Sequence, residues 1–254
     1  MRVCRKDIFV GKAALRCLGF AMLFVVWYFA SVARVSPALP SPAVVVVTTW
    51  ELMREGVFTQ HIAASLKVVL LGIAIAVTLG FSLGVLMFRY KSLYIAALPV
   101  IESVRGIAAL TLFPLLIVLL GIDTPSRIFV IFWTAWPAVV LSTLNSLRIN
   151  ETITNAARVC GASEWRVMLV MRIPLASPGI LTGVRIGISG GWIGLVAAEM
   201  LGATRGLGFF LLWSAQSFRF ERVYATIIVI AVIGGVMNLV LLKIQEKLNI
   251  KFGG

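Results

Sequence analysis

Apolar runs broken by short polar punctuation fill most of this chain. They cover residues 17–33, 68–88, 107–122, 128–147, 179–201 and 224–244. A helix rises 1.5 Å per residue, so about 20 apolar residues cross a bilayer core. The third run is short, so its helix is expected to reach back to about Pro99 and take in Glu102 and Arg105. These sit at i, i+3, where opposite charges pair on a helix. At membrane depth such a pair is a functional candidate; with a later helix start it is merely interfacial. The pattern predicts an all-α membrane protein of about six transmembrane helices.

Two stripes of small residues predict how these helices pack. Gly72, Ala76, Gly80 and Gly84 recur every four residues in the second run, and Gly179, Gly183, Gly187 and Gly191 in the fifth. Such stripes let another helix approach closely. On a helical projection of the fifth run, Arg185 lies roughly opposite Gly183, and Ser189, Trp192, Val196 and Glu199 fall within about 40° of Arg185. One face is therefore smooth for packing, and the other carries a cation, a hydroxyl, an indole and a carboxylate. That face, with Glu102 and Arg105, is the candidate translocation pathway. Arg185 and Glu199 are about 21 Å apart along a straight helix, so they cannot pair there. The alternative is that both snorkel to the interfaces.

Between the runs, residues 35–67 are mixed. Pro37, Pro40 and Pro42 make an extended entry, and 44–54 suits a surface helix. Pro137 is placed to kink the fourth span. Residues 203–222 suit a short helix over the mouth of the bundle, and Asn238 is an amide able to bond across helices. The expected divisions are 1–34 (cytoplasmic segment and first helix), 35–67 (extracytoplasmic), 68–248 (transmembrane core) and 249–254 (tail). A secretory signal cleaved after Ser31-Val32-Ala33 is the alternative for the first run; the further spans favour a retained helix.

Composition agrees. The chain is 60% hydrophobic and 13% charged, against about 45–50% apolar and 25% charged in soluble domains. The net charge of +13 does not mark a nucleic-acid binder, because the basic residues cluster between apolar runs. With the N-terminus inside, fourteen of the 23 Lys and Arg fall in inner segments and seven in outer ones. This bias puts both termini in the cytoplasm. Cys4, Cys17 and Cys160 have no metal-type spacing, and reduced thiols are expected. No metal site is expected.

The same orientation puts the longest polar stretch, 150–178, in the cytoplasm. It reads as two short helices. In the first, Ile153, Ala156, Ala157 and Cys160 form one apolar stripe. Gly161 follows where a helix end favours φ > 0. Ser163 can N-cap the second helix, whose apolar side holds Trp165, Met168 and Leu169, and Pro174 is expected to stop it. Nothing in the stretch itself covers this hairpin's apolar face.

Asn155-Ala156-Ala157, Gly161-Ala162-Ser163 and Ile173-Pro174-Leu175 resemble the EAA loop of ABC importer permeases. The likeness widens to Leu39-Pro40-Ser41-Pro42, His61-Ile62-Ala63-Ala64-Ser65-Leu66, Thr182-Gly183-Val184-Arg185-Ile186-Gly187, Trp192-Ile193-Gly194, Ala197-Ala198-Glu199-Met200-Leu201-Gly202 and Gly206-Leu207-Gly208. Over roughly 39–248 the chain resembles the permeases of nitrate, taurine and alkanesulfonate importers. Two departures stand out. Asn155 replaces a usual Glu, and Val104-Arg105-Gly106-Ile107-Ala108-Ala109 stands where the family usually has Arg-Ser-Ile-Pro-Pro.

The resemblance implies a MetI-like permease core in a bacterial inner membrane, with 150–174 as the hairpin that docks on an ATPase through Asn155, Ala156, Ala157, Gly161, Ala162, Ser163, Ile173 and Pro174. It implies a second permease copy, two cytoplasmic ATPases and an extracytoplasmic solute-binding protein as partners. No Gly-x-x-x-x-Gly-Lys-Ser/Thr loop is present to cradle phosphates, so the chain is not expected to be an enzyme or to hold a cofactor, and ATP and Mg would sit on the ATPase. The solute class implied is nitrate, bicarbonate, taurine or another sulfonate. An ion-coupled secondary transporter or channel is the alternative, but no inverted repeat of the halves is visible. A membrane enzyme is disfavoured, because His61, the one histidine, lies in the mixed segment and reads as interfacial.

Overall fold

A computed structural model describes residues 19, 21–22, 24–33, 36, 38–122, 124–148, 159, 161 and 163–252. Every regular element among them is a helix. These are α1 (Pro42–Arg54), α2 (Val57–Arg89), α3 (Lys91–Arg105), α4 (Phe113–Leu120) after a 3-10 turn (Ala109–Leu112), α5 (Thr124–Leu147), α6 (Glu164–Gly202), α7 (Leu207–Gln216) and α8 (Phe220–Phe252). Helices α2, α5, α6 and α8 are long and apolar enough to cross a membrane, and α3 with α4 forms a pair bent by 85°.

The chain divides into two compact units. One is Met1–Phe58 with Leu211–Ile228. In it, Ser41 caps α1 by accepting from the Val44 N–H at 3.4 Å, and Gly56, at φ +77°, turns the chain out of that helix. The indole of Trp27 donates to the Pro40 carbonyl at 3.2 Å and stacks on Tyr224. Val46, Val47 and Trp50 of α1 are exposed, as a helix lying at an apolar surface requires.

The other unit, Thr59–Phe210 with Val229–Gly254, is built around α5. Both small-residue stripes meet that helix. A Cβ on Gly72 would stand 2.7 Å from Ile131 Cβ, one on Gly80 3.0 Å from Val139 Cβ, and one on Gly84 2.8 Å from Thr143 Cβ. In the other stripe, Gly179 and Gly183 lie against Ser146 and Ser142, and a Cβ on Gly187 would be 3.1 Å from the Ala135 carbonyl oxygen. The order of these contacts makes α2 parallel to α5 and α6 antiparallel to it. The chain between α2 and α5 must therefore return across the bundle, and the bent pair α3–α4 carries it back.

That pair departs from the single helix expected over residues 99–122. Its break lies at 106–108, where Ala108 is extended (φ −63°, ψ 124°). Trp133 of α5 donates its indole N–H to the Ile107 carbonyl at 3.2 Å, satisfying an acceptor that the break would orphan. Ala109, Phe113 and Leu116 then bury against Val130 and Ala198. Packing on α5 and α6 turns the chain here.

A second correction concerns Pro174. It does not stop the second arm of the polar stretch 150–178. Helix α6 runs through it from Glu164 to Gly202. A π-helical turn, Met168–Arg172, immediately precedes the proline-containing segment. A π turn shifts hydrogen bonding to i−5 and widens the helix, so a residue without an N–H can be accommodated. Pro137 likewise lies inside α5, which remains one element. Helix α2 begins earlier than the apolar run suggests, so His61, Ser65 and Lys67 are helical rather than in a loop.

Candidate coupling and translocation sites

The polar arm between α5 and α6 is the first candidate. Asn155, Ala156, Ala157 and Ala162 lie outside the described residues. Gly161 has φ +82°, a conformation that favours glycine. Ser163 occupies the N-cap position, extended at φ −67° and ψ 149°, but its hydroxyl makes no cap bond; its carbonyl accepts from the Val167 N–H at 2.9 Å. The expected apolar side of the arm divides. Met168 is buried against Leu147, Ala176 and Ile180, with Ile173 packed beside them. Trp165 and Leu169 are 58% and 60% exposed. At the root of the arm, Arg172 is buried. It donates to the Leu147 carbonyl at the end of α5 (3.1 Å) and lies over the Phe88 ring of α2 (4.7 Å). Pro174 starts the stretch that carries this arm into the bundle.

The polar residues of the fifth run fall into separate surroundings. Glu199 is fully buried. Its carboxylate accepts from the Ser65 hydroxyl of α2 at 2.8 Å and from the Gly208 N–H at 2.9 Å. The Ser65 oxygen in turn accepts from the Leu207 N–H at 2.9 Å. Arg127, buried at the start of α5, lies 4.0 Å from the same carboxylate and donates to the Arg205 carbonyl at 3.4 Å. His61 Nδ1 accepts from the Gly206 N–H at 3.2 Å, and its ring packs on Phe210. A Cβ on Gly206 would run into the Glu199 carboxylate, and one on Gly208 into the Val196 carbonyl. The residues around His61, Glu199 and Gly206 thus build one buried polar knot joining the N-terminal part of α2, the start of α5, the end of α6 and the start of α7.

Trp192 is also buried, donating to the Ile230 carbonyl of α8 at 3.3 Å and resting on Gly234. Ser189 and Trp192 line a small cavity of about 180 Å³ with Asn238. Arg185 is half-buried elsewhere on α6. Glu102 and Arg105 pair at 3.3 Å with both side chains largely exposed, and they line a larger cavity of about 510 Å³ against α5. The structure does not bring Arg185 and Glu199 together.

Sequence reading placed Arg127 and Ser65 in extramembrane segments. A serine and an arginine at the ends of apolar runs carry no local sign of burial, and only the carboxylate across the bundle reveals their role.

The family described as binding-protein-dependent transport system inner membrane component matches residues 76–251. The chain belongs to this family. It is similar to the taurine transport system permease protein TauC of Escherichia coli (strain K12), with 34% identity over 90% of this chain and 86% of the relative. The nitrate import permease protein NrtB of Synechocystis sp. is 33% identical over 89% of this chain and 86% of its own length. The fold matches structures of the inward-facing MetNI methionine ABC transporter, with a TM-score of 0.66 and 18% identity over 79% of this chain and 97% of that one. This permease is thus an all-helical membrane subunit of the ABC-importer class, and not itself an enzyme.

Proposed function

We propose that this permease forms the path for a small anion of the nitrate, bicarbonate, taurine or sulfonate class. In this reading two copies pair in the cytoplasmic membrane, both termini face the cytoplasm, and a solute-binding protein delivers from outside. Two ATPases, holding ATP and Mg, dock on the stretch 150–174. Asn155, Ala156, Ala157, Gly161, Ala162 and Ser163 form the docking tip, with Ile173 and Pro174 at its root. The path involves Glu102, Arg105, Arg185 and Ser189. Trp192 and Glu199 support it by holding α6 against α8, α2 and α7.

One observation carries the coupling role. The second arm is continuous with the membrane helix α6, so force applied at the tip acts on a single lever rather than on a loose loop. Ala157→Asp would drive a charge into an apolar docking contact, which costs several kcal/mol without a partner. Gly161→Val would strain the positive φ. The test is co-purification of the ATPase with tagged permease in detergent, together with solute-stimulated ATP hydrolysis in liposomes. Both should fall in both variants while membrane insertion survives. Wild-type levels of both in inserted Ala157→Asp would refute the coupling role.

A further inference from the structure

The grooves between these helices differ in chemistry. Two are walled by apolar side chains such as Leu79, Leu83, Phe132 and Trp136, as lipid or a packed helix requires. The 510 Å³ cavity between α3 and α5 is different. Its α3 wall presents Tyr94, Glu102 and Arg105, and its α5 wall presents Ser142 and Asn145, with Arg148 just past the end of that helix. Each set lies on one helical face. Arg148 therefore faces the Glu102–Arg105 pair across a space that, at about 30 Å³ per water, admits a small ion with part of its hydration shell.

Both guanidiniums line the cavity. Arg105 is steadied by Glu102 at 3.3 Å, and one carboxylate occupies only part of a five-donor fork. Arg148 lies over the Tyr94 ring, 4.4 Å from its centroid. A stacked guanidinium keeps its in-plane N–H edge for an oxyanion.

We propose that this cavity is an oxyanion subsite in the inner half of the path. Arg105 and Arg148 supply charge and N–H donors, Asn145 and Ser142 supply neutral donors, and Glu102 orients Arg105. The proposal deepens, and rests on, the reading of this chain as an anion permease. The oxyanion is a sulfonate or nitrate in transit, or a lipid phosphate of the same chemistry. Arg148 directly follows Leu147, whose carbonyl Arg172 grips, so the cavity mouth adjoins the coupling arm.

The test uses the permease–ATPase complex in phosphatidylcholine nanodiscs, with Cys4, Cys17 and Cys160 replaced by Ser. Asn145→Cys is reacted with a methanethiosulfonate bearing a sulfonate and with one bearing a trimethylammonium, each normalised to a free thiol. The sulfonate reagent should react faster by about tenfold at low salt, the lower end of what a charged cleft achieves. Arg105→Gln and Arg148→Gln should each remove most of that preference. Arg105→Lys should keep it, which separates charge from folding. Equal rates for the two reagents, or a preference intact in both Gln variants, would overturn the subsite. Slowing by millimolar taurine or nitrate marks a solute in transit, slowing only on adding phosphatidylglycerol marks a lipid headgroup, and slowing by neither overturns the proposal. If liposomes show no anion import while the charge preference persists, the transport reading fails and the subsite stands.

Discussion

The hydroxyl of Ser65 donates to the carboxylate of Glu199 across 134 positions of sequence, at 2.8 Å and out of contact with solvent. This bond ties α2 to α6. With the Gly208 N–H and Arg127 it neutralises and satisfies a carboxylate buried in an apolar bundle. Removing one member of such a group leaves the others buried and unpaired.

Glu199→Ala should therefore destabilise the permease by about 3 kcal/mol, since breaking a buried pair costs about 3–5 kcal/mol. In a thermal-shift measurement in detergent this corresponds to a fall in Tm of roughly 6–12 °C. Ser65→Ala should have a smaller effect, about 1–2 kcal/mol, because Gly208 still serves the carboxylate. A variant Glu199→Ala as stable as the wild type would show that the knot carries no stability.

The close passage of α5 and α6 predicts a graded series. A Cβ at Gly187 meets the Ala135 backbone at 3.1 Å, and backbone cannot swing aside. Gly187→Ala should cost about 1–3 kcal/mol, as overpacking does, and Gly187→Leu should abolish a monodisperse peak on size exclusion. Ser189→Leu, at an exposed position on the same helix, should leave the peak intact and reduce transport. Assembly defects in both would make the whole helix face structural.

Arg172 predicts a separation of docking from coupling. Arg172→Gln loses the stacking on Phe88 and the charged bond to the Leu147 carbonyl. The ATPase should still co-purify, because the tip is untouched, while solute-stimulated ATP hydrolysis falls about tenfold, the factor that 1.4 kcal/mol of lost coupling produces. Arg172→Lys should not restore it, since an ammonium lacks the planar face that stacks. Unchanged stimulation in Arg172→Gln would show that the clamp is not part of the lever.

Orientation can be read by labelling. Ser163 and Gln60 are both exposed, and the charge bias puts them on opposite sides. In a cysteine-free background, Gln60→Cys should react with an impermeant thiol reagent in intact cells, and Ser163→Cys only after lysis. Equal labelling in intact cells would reverse or break the proposed topology.

The amino-acid sequence by itself determined the membrane class, the spans seen as α2, α5, α6 and α8, and both packing stripes. Hydropathy and four-residue spacing are local properties, and Gly72–Gly84 and Gly179–Gly191 needed only a partner helix to receive them. Gly161 was legible for the same reason, since a positive φ at a helix end is a one-residue demand. What the stripes pack on was not legible: that α5 receives both depends on the path of the whole chain. The break at 106–108 depends on Trp133 reaching the Ile107 carbonyl, and the continuation through Pro174 depends on a π turn, so local helix rules erred at both. The knot at Glu199 required residues from four segments to converge. A carboxylate reads alike in sequence whether it lines a path or locks a fold, and only the donors that tertiary structure sets around it decide which.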